Sequence, residues 1–223
     1  MAEAEATILP IYFVADESGS MMTNVNQMNQ GLTSLLDAMQ GEAMAASKVR
    51  FSIIGFHDLA TCHLPLADFR QLEGMPTLGA YGSTSFASAF QDLQSRIPAD
   101  VKALKDQGYL VNRPAVFFLT DGYPNGGDGW EQLHADLVDP GFKARPNILA
   151  FGIGAADPTN IRAIATKPEF AFIADSSMDT GAALTKFMVA LTQSIIKSGH
   201  ASSDGQAGFQ LEEPEGFISL DLV

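Results

Sequence analysis

Three stretches of this 223-residue chain carry oxygen-bearing side chains of the kind that hold a hard metal ion. Asp16-Glu17-Ser18-Gly19-Ser20 places one carboxylate and two hydroxyls on a single short stretch. Gly82-Ser83-Thr84-Ser85 adds a hydroxyl behind a glycine that permits a sharp turn, and Thr120-Asp121-Gly122 adds a second carboxylate. Mg2+ prefers about six oxygens at roughly 2.1 Å and keeps several of its waters, so hydroxyls with carboxylates acting directly or through water suit it. Mn2+ accepts the same donors. Taken singly, each stretch has an ordinary use: Asp and Ser form turns and cap helices, at about 0.5 to 2 kcal/mol per cap, and Asp-Gly is a common turn dipeptide. The metal reading therefore depends on the fold bringing all three together.

The elements around them predict that it does. Thr7 to Ala15 is a continuous apolar run rich in β-branched and aromatic residues, the signature of a strand buried on both faces, and Asp16 ends it. From Met22 to Ala45, Met28, Leu32, Leu35, Leu36 and Met39 recur at helical spacing. Val49 to His57 and Thr61 to Phe69 read as two strands joined by a hairpin, the second a short antiparallel edge strand. A helix follows from Ser85 to Gln107, with Pro98 marking a break, and then a fully apolar strand from Pro114 to Thr120. Trp130 to Leu137 reads as a helix, Asn147 to Ile153 as a strand, Pro158 onward as a short helix and Glu169 to Ala174 as a strand. Leu184, Phe187, Met188, Leu191 and Ile195 mark one face of a last helix. Strands alternating with amphipathic helices predict an α/β fold with three layers, doubly wound around a mostly parallel central sheet. Ligands in such sheets bind outside the carboxyl ends of the strands, where Asp16 and Asp121 fall.

In this order, Asp16, Ser18, Ser20, Thr84 and Asp121 resemble the metal-ion-dependent adhesion site (MIDAS) of von Willebrand factor A (VWA) domains: Asp-x-Ser-x-Ser, then a distant Thr, then a distant Asp. The resemblance covers roughly residues 7 to 197, read as the domain (1–197). Pro10 to Met21 and Arg113 to Pro124 look most like the bacterial, tellurite-resistance-associated TerY-like branch. Ser83 departs from that branch, which has a second glycine before the threonine. The resemblance implies that the two serines and the threonine contact the metal, that the aspartates act mainly through water, and that an acidic side chain of a protein partner completes the shell. It implies binding, not catalysis, in a bacterial stress or metal-resistance system.

Charge narrows the partners further. With 26 Asp and Glu against 13 Lys and Arg, the net charge of -13 repels nucleic acid and anionic lipid. No apolar run approaches the roughly 20 residues of a membrane span, and Glu3 and Glu5 stand where a secretory signal carries positive charge, so a cytoplasmic protein is expected. The four histidines lie far apart, and a single cysteine, Cys62, cannot complete a zinc site of the thiolate type. Tyr81, Tyr123 and Trp130 flank the proposed site and are candidates for a partner surface. Residues 198–223 form an acidic tail, read as a linker followed by a docking strand: it is either a solvated end or an arm whose carboxylates enter the metal cleft of another copy. Two competing functions are a Mg2+-dependent phosphoryl-transfer enzyme and a structural subunit of a larger assembly. The enzyme reading is weakened by Ser18, which stands where that chemistry usually places a second Asp.

Overall fold

The computed structural model describes residues 6–203 and 209–222. In chain order the elements are β1 (Thr7–Asp16), α1 (Val25–Gly41), α2 (Ala43–Lys48), β2 (Val49–Phe56), β3 (Ala60–Ala67), α3 (Phe86–Asp106), β4 (Leu110–Val111), β5 (Ala115–Thr120), α4 (Trp130–Val138), β6 (Asn147–Gly152), α5 (Pro158–Ile164), β7 (Ala171–Ala174), α6 (Thr180–Ser203) and β8 (Phe217–Ser219). The sheet runs β3-β2-β1-β5-β6-β7-β8, with β4 paired to the start of β1. Its central pairings are parallel, as expected of strands connected by helical crossovers.

The alternation of side chains along β1 builds a core on each face. Ile11, Phe13 and Ala15 pack with α1, α2 and α6, while Tyr12 and Val14 pack with α3, α4 and α5. Both faces being covered explains why β1 and β5 read as unbroken apolar runs. The result is the three-layer, mostly parallel α/β architecture expected from the sequence. Among the described residues no helix is long and apolar enough to cross a membrane. Cys62, on β3, is half-buried, and burial pushes its thiol pKa up.

Several expectations need correction. Pro98 does not break α3, which runs unbroken from Phe86 to Asp106 because Phe90, Leu93, Ile97 and Leu104 anchor it on both sides of the proline. The first helix is instead divided: a 3-10 turn over Gly19–Thr23 precedes α1, and Glu42 (φ -112°, ψ 61°) separates α1 from α2. The expected antiparallel edge strand is β3 on β2, and β8 adds a second antiparallel edge on β7.

The tail is also more integrated than a linker. α6 continues past residue 197 to Ser203, and residues 204–208 lie outside the described structure, as do residues 1–5. Beyond them Phe209 stacks edge-on against Phe117 at 5.4 Å, Leu220 is buried, and β8 closes the edge of the chain's own sheet. Glu212 pairs with Lys197 and Glu215 with Lys186 within the chain.

Candidate metal centre

Parallel pairing sets the ends of β1, β2 and β5 side by side, and the loops that leave them form one edge. Asp16 is the last residue of β1, and the Glu17 backbone N–H donates to the Phe56 carbonyl at 2.8 Å, so the chain leaves over the end of β2. The Ser18 N–H returns to Asp16 Oδ1 at 2.8 Å, a turn in which the aspartate orients its own loop. The second carboxylate oxygen of Asp16 accepts from the Thr120 hydroxyl at 2.6 Å, joining β1 to β5. Ser18 Oγ lies 3.0 Å from Ser20 Oγ, and Ser20 Oγ donates to Asp121 Oδ1 at 2.6 Å. Asp16, Ser18, Ser20 and Asp121 thus form one connected group of oxygens.

Thr84 arrives from a loop held on both sides. Gly19 N–H donates to the Gly82 carbonyl at 3.2 Å, while Thr84 and Asn125 exchange bonds: Thr84 N–H to Asn125 Oδ1 at 3.2 Å and Asn125 N–H to the Thr84 carbonyl at 2.8 Å. Gly82 adopts φ +60°, and a Cβ there would stand 2.2 Å from Asp58 Oδ2, so both the turn and the close approach require glycine. The Thr84 hydroxyl has no hydrogen-bond partner among the described residues and faces the Asp121-Gly122 turn, 3.9 Å from where a Cβ on Gly122 would lie. Ser83 does not crowd Thr84. Its N–H and hydroxyl both donate to Asp58 Oδ1, and Asn125 Nδ2 donates to its oxygen at 2.9 Å.

Electrostatics single this group out. Asp16 is fully buried and Asp121 only 6% exposed, yet neither forms an ion pair with any Lys, Arg or His among the described residues. Burial pushes the Asp16 carboxyl up to about 6, against the hydrogen bonds from Ser18 and Thr120 that favour its charged form. Burial also raises Asp121, against the bond from Ser20. Two desolvated carboxylates beside three hydroxyls, with no paired cation among the described residues, fit a hard divalent ion: each donor is oxygen, and such an ion carries the balancing positive charge.

Two structural residues here carried no role in the sequence reading. Thr120 was visible only as the neighbour of Asp121. Glu17, 2% exposed, accepts from the Gly79 N–H at 2.7 Å and pairs with His63 Nε2 at 2.8 Å, tying the first loop to β3 and to the 79–85 loop. Of the expected partner residues, Tyr81 and Tyr123 are 64% and 61% exposed on the same edge. Trp130 is not part of that surface. It is 4% exposed, with its ring 5.7 Å from Phe86 and 5.8 Å from Phe90, because α4 turns it into the core. Met22 and Leu59, 66% and 70% exposed on loops at this edge, are apolar surface that the sequence reading missed.

A doubly wound sheet with oxygen donors at its carboxyl edge defines a class of α/β ligand-binding domain. Within that class, residues 11–187 match the model of the von Willebrand factor type A domain, and the chain belongs to that family. Comparison with curated protein sequences finds no significant match. Solved structures with a similar fold include proximal thread matrix protein 1 from the mussel byssus, at 20% identity and TM-score 0.61, covering 86% of this chain and 47% of that one. A second is the pilus adhesin SpaC from Lactobacillus rhamnosus GG, at 16% identity and TM-score 0.66, covering 86% of this chain and 31% of that one. A further structure of the mussel protein, 21% identical with TM-score 0.60 and covering 84% of this chain and 46% of that one, has a zinc-occupied MIDAS motif. This chain therefore spans less than half the length of these neighbours, and the likeness is one of fold.

Proposed function

We propose that the chain is a metal-dependent protein-binding module, in which Asp16, Ser18, Ser20, Thr84 and Asp121 hold Mg2+ or Mn2+ and an acidic side chain of a partner completes the shell. The observation that carries this reading is the connected group of hydroxyls and buried carboxylates that pairs with no Lys, Arg or His among the described residues. A bound ion would supply the charge that neutralises the carboxylates and draws in a partner's carboxylate. The chain's own residues do the positioning: Thr120 and the Ser18 N–H orient Asp16, and Asn125 and Asp58 hold the loop that presents Thr84. Tyr81, Tyr123, Met22 and Leu59 offer exposed apolar contact area on the same edge.

The zinc-occupied motif of the mussel protein supports a divalent ion at a site of this type, and the pilus adhesin supports a contact role for the fold. A binding role fits better than phosphoryl transfer, since a serine occupies position 18 and among the described residues no Lys bonds to any of the five. The resemblance of Pro10 to Met21 and Arg113 to Pro124 to the TerY-like branch supports a place in bacterial stress or tellurite/metal resistance.

Titration of the full chain with Mg2+ and Mn2+ tests the site. Saturable binding in the millimolar range or tighter is expected, lost in Asp121→Ala while the circular dichroism spectrum is unchanged. Absence of uptake by the wild type, or undiminished uptake by Asp121→Ala, overturns the reading. Partner capture that persists in chelator would indicate instead a permanent subunit of an assembly.

A further inference from the structure

The edge of the sheet opposite the candidate metal centre gathers positive charge. The chain has twice as many Asp and Glu as Lys and Arg, 26 against 13. Yet two adjoining cavities at that edge, of about 320 and 230 Å3, are lined by Lys105, Arg113, Lys143, Arg145 and Lys167 and by no acidic residue. Arg113 and Arg145 line both. Arg113 lies between β4 and β5, and Lys143 and Arg145 lie between α4 and β6, so all three sit where the chain enters the amino ends of central strands.

Two of the five cations have structural uses. Lys167 stands 3.6 Å from Glu169, and Lys105 is in the last turn of α3, where the negative end of the helix dipole favours it. Arg113, Lys143 and Arg145 are on loops and form no ion pair among the described residues. Beside them Asn112 lines the smaller cavity, so its side-chain amide reports on what enters it.

We propose that this edge is a binding site for a small phosphate-bearing ligand, held by Arg113, Arg145 and Lys143. Guanidinium groups bind phosphate oxygens through paired N–H donors, and a phosphate carries enough oxygens and charge to engage several donors at once. A small ligand is favoured over a polyanion because nucleic acid or a membrane would extend past the local cluster onto the rest of a surface whose net charge is -13. The site is independent of the metal centre at the other edge.

The test is NMR titration of the full chain, free of divalent ions and at constant ionic strength, with inorganic phosphate, pyrophosphate and citrate. The Asn112 side-chain amide and the arginine Nε–H signals are followed. Saturable shifts with phosphate or pyrophosphate are expected, weakened about tenfold or more by Arg145→Gln and by the exposed Arg113→Gln. Asp121→Ala and the remote Lys186→Gln should leave them unchanged. Absence of saturation with both phosphates overturns the proposal, as does equal weakening by Lys186→Gln, which would mark unspecific attraction. Tighter binding of citrate than of pyrophosphate overturns it in favour of a polycarboxylate site.

Discussion

At the scale of single residues, the bond that most constrains the candidate centre is the one from Thr120 to Asp16, both fully buried. Thr120→Val keeps the shape of the side chain and removes the donor. The variant is expected to lose about 1 to 3 kcal/mol of stability in urea denaturation, because a buried carboxylate oxygen is left unpaired. Its metal affinity should fall as well, since Asp16 is no longer held from β5, and Thr120→Ser should restore both. His134 supplies a pH dependence. Burial depresses its pKa below the ordinary 6.5, against its bond to the Ile164 carbonyl, so the unfolded chain takes up the proton first. The stability it contributes is therefore complete above about 6.5 and is lost as pH falls toward the folded-state value. Asp16 acts in the opposite sense in the metal-free protein, because its raised pKa relieves the cost of burial as pH falls through about 6. Comparing the urea midpoints of wild type and His134→Gln at pH 7.5 and pH 5 cancels the Asp16 effect, and the wild-type advantage should shrink at the lower pH.

At the scale of elements, α6 packs against α2 with backbone in close approach. A Cβ on Gly199 would stand 2.7 Å from both the Cα and the carbonyl oxygen of Ala45, which are backbone atoms and cannot rotate away. Gly199→Ala should push the helices apart and cost about 1 to 3 kcal/mol, the usual range for overpacking, seen as a lower urea midpoint. Because α6 begins at Thr180, whose hydroxyl would be 3.2 Å from a Cβ on Gly154 beside Asp121, the same variant also tests whether displacing the helix changes metal affinity. Unchanged affinity would show that the centre is insulated from α6.

At the scale of the whole molecule, the tail behaves as part of the domain. Phe209, Leu211 and Phe217 pack against the core, Leu220 is buried, and Ser198 Oγ accepts from the Gln210 N–H at 2.9 Å. Deleting residues 209–223 should therefore destabilise the chain by about 3 to 5 kcal/mol, from the apolar area uncovered. Sedimentation in Mg2+ distinguishes this role from self-association: a deletion that changes the oligomeric state without lowering the urea midpoint would show the tail to be a docking arm.

The order of elements and the positions of the three oxygen-bearing loops were legible in the sequence by itself. Strands buried on both faces read as unbroken apolar runs, and Asp16 and Asp121 stand at the ends of two of them. What the sequence left open was decided by contacts between segments distant in the chain. Packing on both sides of Pro98 holds α3 continuous against the local preference for a break. The rings of Phe86 and Phe90 draw Trp130 inward, although its place after a glycine-rich turn read equally well as surface. Thr120 became a positioning residue only when β5 was laid beside β1, and the tail became an edge strand only because β7 left a row of backbone groups to pair. Local spacing determines which face of an element is apolar; which partner covers that face depends on the whole chain being folded at once.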